Sequence, residues 1–348
     1  MEAPVSTVLD PRSIEREIAR IRERESNPYS SGVKTNLFTL VIFRRKGTRG
    51  TDDPLATSLQ YMLGRRPARI ITIDHADAAE TDVVVSGRCF PDRRNRGVCF
   101  EEVHIQSGTD GRGEDPGAWA PLLIRDLPVF AWWPDTLREY TSGANAAGSA
   151  GDSWQEPVLQ AASLIDKLIV DTGNNGADDL SARASLRSLL SLREKAGGSF
   201  FISDFSWRRS RVLRELTARA FDQQETRPRL AMIQSVTLDG GSRADGILYF
   251  SWLAARLGWS ADGRDRSGRR VQCAHATPGF ALSDGFRLRF SFEGSDALEI
   301  GCTRGGCVSD GAERGAYKFP AEGEILLEEV DSLTRDPVYQ EVLARAGR

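Results

Sequence analysis

The chain has 348 residues with 46 basic and 49 acidic side chains, a formal net charge of −3. Its summed field therefore offers no strong attraction to nucleic acid or an anionic membrane surface, and neither is expected as a partner. Hydrophobic residues make up 40% and charged ones 27%, which suits a chain that buries a sizeable core, and the length is comfortable for two domains.

In chain order, Asp10-Pro11 opens a first helix, with Ile14, Ile18 and Ile21 along one face and alternating Arg and Glu on the other. An apolar run over residues 37–43 predicts a strand. Asp53-Pro54 starts a second helix carrying Leu55, Leu59 and Leu63 and closed by Gly64, and residues 69–73 form the next strand. This strand, helix, strand order fits a right-handed crossover in a parallel sheet. Residues 83–89 and 99–106 read as an antiparallel pair across a turn, residues 119–125 as a short helix, and 129–133 and 168–171 as buried strands. Residues 140–157, rich in Gly, Ala and Ser, read as a mobile surface loop.

A helix over 180–195, with Leu186, Leu189 and Leu190 on one stripe, stops at Gly197-Gly198 before a strand at 200–203 and a helix at 210–222. Polar residues 223–228 mark the expected domain junction. Beyond it come a strand at 232–238, a buried helix at 245–257 capped by Gly258, strands at 271–275, 286–292 and 297–302, and a final helix opened by Asp336-Pro337. The expected architecture is α/β. A mixed, mostly parallel, Rossmann-like sheet flanked by helices occupies residues 1–222, and a smaller α+β domain with an antiparallel sheet occupies residues 223–348.

No catalytic constellation rises above background. The loop Arg44-Arg45-Lys46-Gly47-Thr48-Arg49-Gly50 lies where open α/β sheets bind phosphates, but it lacks both the G-x-G-x-x-G and the P-loop pattern, and Asp52 and Asp53 would repel a phosphate. A sugar-phosphate or nucleotide-binding enzyme using this loop is the alternative function. His75, His104 and His275 read as structural. Cys273-x-His275 and Cys302-x4-Cys307 supply soft donors at a spacing unlike compact zinc modules, and Cys89 and Cys99 flank a hairpin and pair only under oxidation. All five cysteines, spread from Cys89 to Cys307, are expected as reduced thiols, and no cofactor is expected. Residues 1–10 lack the basic and apolar regions of a secretory leader, and no stretch approaches the roughly 20 apolar residues of a membrane span, so cytoplasm is the expected location.

The most distinctive segment is Asp126-Leu127-Pro128-Val129-Phe130-Ala131-Trp132-Trp133-Pro134-Asp135, where adjacent tryptophans must point to opposite sheet faces. They are core residues of a covered sheet or anchors of an interface. This segment resembles the D-[LI]-P-V-x-x-W-W-P-D stretch of the glucose-6-phosphate dehydrogenase assembly protein (OpcA) family. Residues 66–71, Leu168-Ile169-Val170-Asp171, Asp204-Phe205-Ser206-Trp207-Arg208, residues 247–257 and Asp336-Pro337-Val338-Tyr339 extend the resemblance in the same order. The resemblance implies a non-enzymatic partner of glucose-6-phosphate dehydrogenase, aiding its oligomeric assembly and raising its activity. Trp132, Trp133, Trp207 and Arg211 are the expected interface residues, since aromatic and arginine side chains anchor contacts.

Overall fold

The computed structural model describes residues 5–7, 9–26, 31–33, 36–44, 54–62, 65–75, 79–91, 95–109, 111–137, 154–174, 178–278, 281–303, 306–309, 312–313 and 319–347. The basic residues 45–50 and residues 140–153 of the expected loop lie outside them.

The first half carries β1 (Val5–Thr7), α1 (Pro11–Ser26), β2 (Ser31–Val33), β3 (Thr39–Arg44), α2 (Pro54–Met62), β4 (Ala68–His75), β5 (Asp82–Pro91) and β6 (Arg96–Ser107). It continues with α3 (Pro116–Trp119), β7 (Val129–Trp133), α4 (Gln155–Gln160), β8 (Lys167–Val170), α5 (Asp179–Lys195), β9 (Phe201–Asp204), α6 (Phe205–Arg209) and α7 (Arg211–Phe221). The second half has β10 (Ile233–Asp239), α8 (Arg243–Leu257), β11 (Gln272–Thr277), β12 (Phe286–Phe292), β13 (Ser295–Thr303), β14 (Gly306–Ser309) and β15 (Ala312–Glu313). It ends with α9 (Glu322–Val330) and α10 (Pro337–Ala346).

The large sheet runs β1-β5-β6-β4-β3-β7-β8-β9, with β2 also pairing β6. From β6 to β9 every neighbour is parallel, whereas β5 meets β6 and β1 meets β5 antiparallel. Strands β7 and β8 are buried at every residue, as befits parallel strands covered on both faces. Alternation along β7 then divides the adjacent tryptophans. Trp133 packs with Phe43 and Trp154 on the face covered by α1, α5 and α10, and Trp132 packs with Phe205 on the face covered by α2 and α9.

The smaller sheet runs β11-β10-β12-β13-β14-β15 and is antiparallel except for β10 and β11, which pair in parallel. Its core is completed by Val212, Leu213 and Leu216 of α7 and by Tyr249 and Leu253 of α8. The last two helices turn back to the large sheet: Ile325 and Leu326 of α9 join one of its cores, and Tyr339, Val342 and Leu343 of α10 the other.

Two expectations are corrected. Trp154 and Gln155, at the end of the expected surface loop, are each 1% exposed and lead into α4, because Trp154 fills the core beside Trp133 and Gln155 hydrogen-bonds Ser188 of α5. The cysteines are not all thiols, since hairpin registers place Cys89 opposite Cys99 and Cys302 opposite Cys307, and both pairs are disulfides. Cys273 alone is free. Cys302 and Cys307, bonded to each other, are thereby removed as zinc donors, and the described residues contain no group of three or more His, Cys, Asp or Glu that would hold a metal ion.

Helix α9 is pinned by charge as well as by packing. Lys167 at the start of β8 is 2% exposed and donates to the carbonyls of Glu329 and Ser332, each at 2.9 Å, while its ammonium pairs with the buried Glu329 carboxylate, which also meets Arg208. Burial works against the Glu329 charge, but Lys167 and Arg208 outweigh it and hold the carboxyl below its usual value. Removing one partner strands the other charge in the core, so Glu329→Ala is expected to cost ~3–5 kcal/mol in urea unfolding. The double change Lys167→Met with Glu329→Leu is expected to cost clearly less, and an equal loss would contradict this account.

Candidate functional site

Strands β8 and β9 end side by side, with Val170 opposite Asp204. The carboxyl ends of parallel strands are where open α/β sheets place their ligand-binding groups, and here they deliver Asp171 and Asp204. Asp204 is fully buried and caps α6 by accepting from Ser206 N at 3.0 Å. It also accepts from Thr172 N at 3.1 Å, Thr172 Oγ1 at 2.7 Å and the Tyr339 hydroxyl of α10 at 3.2 Å. Burial and then the neighbouring Asp171 charge push its carboxyl up to about 7.

Arg209, at the end of α6, clasps Asp171 through both terminal nitrogens, at 2.9 and 2.6 Å. This two-pronged geometry is the strong form of an arginine–carboxylate pair. Burial opposes the guanidinium charge, but Asp171 and Asp245 more than offset it and raise the Arg209 pKa. Asp245 comes from the first turn of α8, where its Oδ2 accepts from Ser242 N at 2.8 Å and Ser242 Oγ accepts from Asp245 N at 3.2 Å, a reciprocal capping box. Its Oδ1 has no hydrogen-bond partner, and Arg209 Nε stands 3.9 Å away.

Of these groups Arg209 and Asp245 line a cleft of about 610 Å³ whose walls include Asn174, Ser242, Arg243, Leu282, Phe319 and Glu322. The segment after β8, the end of α6, the α8 N-terminus, the segment before β12 and the start of α9 all contribute to it. The buried Asp245 and the partly buried Arg209 in its lining, with Asp171 and Asp204 adjoining, make it the candidate site among the described residues.

The sequence-derived candidates lie elsewhere. Trp132, Trp133 and Trp207 are each 3% exposed, so a partner could reach their rings only by parting the packed helices. The Trp207 indole donates to Asp336 at 2.7 Å and Arg214 stacks 3.3 Å over its ring. Arg211, on α7, has a side chain 54% exposed and pairs with Glu215 one turn on. His75 meets Glu114 at 2.7 Å, His104 meets Asp74 at 2.6 Å, and His275 donates from Nε2 to the Gly240 carbonyl at 2.9 Å. Arg44, at the start of the basic loop, lies 3.7 Å from Asp74.

Sequence reasoning did not assemble the cluster of Asp171, Asp204, Arg209 and Asp245. The available signal was an aspartate closing each of two apolar strand segments, Leu168-Ile169-Val170-Asp171 and Phe201-Ile202-Ser203-Asp204.

A raised carboxyl pKa has a definite sign. The folded state holds the Asp204 proton more tightly than the unfolded chain, so this contribution is present below about pH 4 and is lost as pH rises through about 7. Asp204→Asn is therefore expected to flatten the pH dependence of stability between those limits, relative to the unaltered chain with Asp171, Arg209 and Tyr339 in place. Parallel stability curves for the two proteins across that range would contradict the assignment.

Two domain families match the chain. One, described as glucose-6-phosphate dehydrogenase subunit N-terminal domain, covers residues 61–188, and the other, described as the C-terminal domain of the same subunit, covers residues 201–343. A protein from Nostoc punctiforme named as OxPP cycle protein OpcA is 30% identical over 202 residues, covering 56% of this chain and 39% of its own length. Proteins of the same name from Synechocystis sp. and Synechococcus elongatus are each 26% identical, covering 68% and 71% of this chain and 43% and 59% of their own lengths. The chain thus spans between 39% and 59% of the length of these curated relatives. Among solved structures, aspartate semialdehyde dehydrogenase II from Vibrio cholerae is 10% identical at a TM-score of 0.26, over 75% of this chain and 76% of that one, a likeness too weak to inform the fold. The paired-tryptophan segment and Leu168-Ile169-Val170-Asp171 fall within the first matched domain, and Asp204-Phe205-Ser206-Trp207-Arg208 and Asp336-Pro337-Val338-Tyr339 within the second. Matched in order by both of its domains, the chain belongs to the OpcA family.

Proposed function

We propose that this chain is a non-catalytic, cytoplasmic assembly factor and allosteric activator of glucose-6-phosphate dehydrogenase, promoting its active oligomer in the oxidative pentose phosphate pathway. The observation that carries this reading is the match of both family domains, described by that enzyme's name, over residues 61–188 and 201–343. The engagement of the buried acids and bases with one another also favours it: Arg209 is committed to Asp171, and Asp204 accepts four hydrogen bonds from within the chain.

Such a factor acts by binding the active, assembled dehydrogenase more tightly than the dissociated form. About 1.4 kcal/mol of preference shifts that equilibrium tenfold. A stable contact needs roughly 1,600 Å² of buried surface with a few anchoring side chains. Arg211 is proposed as one such anchor, because its guanidinium already stands in solvent on α7. Trp132, Trp133 and Trp207 are proposed to serve the contact indirectly, by holding α7 and its neighbours in place through the core.

The test combines kinetics and light scattering on glucose-6-phosphate dehydrogenase from the same organism, with and without this chain. A larger complex and a lowered apparent KM for glucose 6-phosphate are expected, and Arg211→Glu is expected to weaken the complex by about tenfold. Unchanged kinetics together with separate elution of the two proteins would contradict the proposal.

A further inference from the structure

The small sheet ends on an edge that the chain leaves open. Strand β11 is its terminal strand, paired in parallel with β10 on one side and, among the described residues, with nothing on the other. Gln272, Cys273, Ala274, Ala276 and Thr277 are exposed and His275 is half-buried. The other terminal strands are short or covered: β1 has 3 residues and β15 has 2, and Gln340 of α10 donates to the Ile202 carbonyl of β9 at 3.5 Å. An open edge offers a row of backbone donors and acceptors to any extended segment, and soluble proteins ordinarily guard it with charges, prolines or bulges. Strand β11 carries no acid, lysine, arginine or proline, and its register against β10 shifts only beyond His275.

The charges at the two ends of β11 select the occupant. Arg270, just before the strand, is exposed and makes no ion pair among the described residues. At the far end, Asp239 of β10 stands opposite Thr277 and accepts from its hydroxyl at 3.0 Å. Asp239 too makes no ion pair among the described residues, although Arg287 is its neighbour on β12. An antiparallel copy of the same strand brings the Arg270 end of each chain to the Asp239 end of the other, and the uncharged stretch between sets no like charges against each other. That is the self-complementarity a two-fold contact requires, whereas an unrelated strand would have to carry both charges in the matching order. We propose that β11 pairs antiparallel with β11 of a second copy of this chain, joining two 6-stranded sheets into one across a two-fold axis. This pairing needs no dehydrogenase and does not rest on the assembly reading.

The experiment sediments the full chain alone and follows amide hydrogen exchange over residues 272–277. A dimer with a Kd on the order of 10 μM is expected, its β11 amides better protected at high than at low protein concentration. Ala274→Lys sets like charges close to the two-fold axis at an exposed position, and is expected to leave a folded monomer. Arg270→Asp and Asp239→Arg are each expected to raise the Kd about tenfold, and the two together to restore it, a rescue that a purely structural role for either residue would not give. A chain that stays monomeric at about 200 μM, or a dimer that Ala274→Lys leaves intact, would overturn the proposal. Protection of the β11 amides only after the dehydrogenase is added would overturn it too, and would give the edge to that enzyme. Since the dimer is read without the dehydrogenase, failure of that enzyme to bind would end the assembly reading and leave this test standing.

Discussion

Helix α8 is the element on which the two sheets jointly depend. Ile247 and Leu248 are buried in the large sheet's core, Tyr249 and Leu253 in the small sheet's, and Trp252 packs against both. Each fully buried side chain of this size contributes roughly 1.5–3 kcal/mol, so one helix supplies much of the adhesion between the halves. Its placement is strict at both ends. A methyl group at Gly246 would come within 2.4 Å of His275 Nδ1, and Gly258 ends the helix in the left-handed conformation at a φ of 69°.

The same helix brings Asp245 to the ends of β8 and β9, and the charged cleft follows from this. Asp171, Asp204 and Asp245 are drawn from two strand ends and one helix start, and Arg209 bridges Asp171 and Asp245. Tyr339 of α10 reaches Asp204 from the chain's far end. The Lys167, Glu329 and Arg208 group does for α9 what this cluster does for α8. Replacing such buried ion pairs by apolar side chains is often neutral or better for stability, so their service to the fold is in fixing which helix lies where.

Much of the architecture was legible because its signals are local. Asp10-Pro11 and Asp336-Pro337 open α1 and α10, the apolar run 129–133 is β7 residue for residue, and the Gly258 stop is where the sequence put it. What escaped depends on contacts between distant segments. Trp154 stands at the start of α4 because Trp133 and Ser188 receive it. Helix α9 is short and acidic, and its burial rests on Lys167, 162 positions away from Glu329. The disulfides depend on strand register, which cysteine spacing alone does not set. The cleft was illegible for the same reason, since Asp171, Arg209 and Asp245 meet only once α8 is docked. Conversely, the paired tryptophans stood out in the sequence because they serve two cores at once.

An assembly factor that favours the active dehydrogenase must obey linkage: a ligand that stabilises that active form must tighten the factor's own binding by the same factor. The most direct measurement is therefore the affinity of this chain for glucose-6-phosphate dehydrogenase, titrated with and without saturating glucose 6-phosphate. The account predicts tighter binding in the presence of the sugar phosphate. Equal affinity under both conditions, or no binding under either, would contradict it.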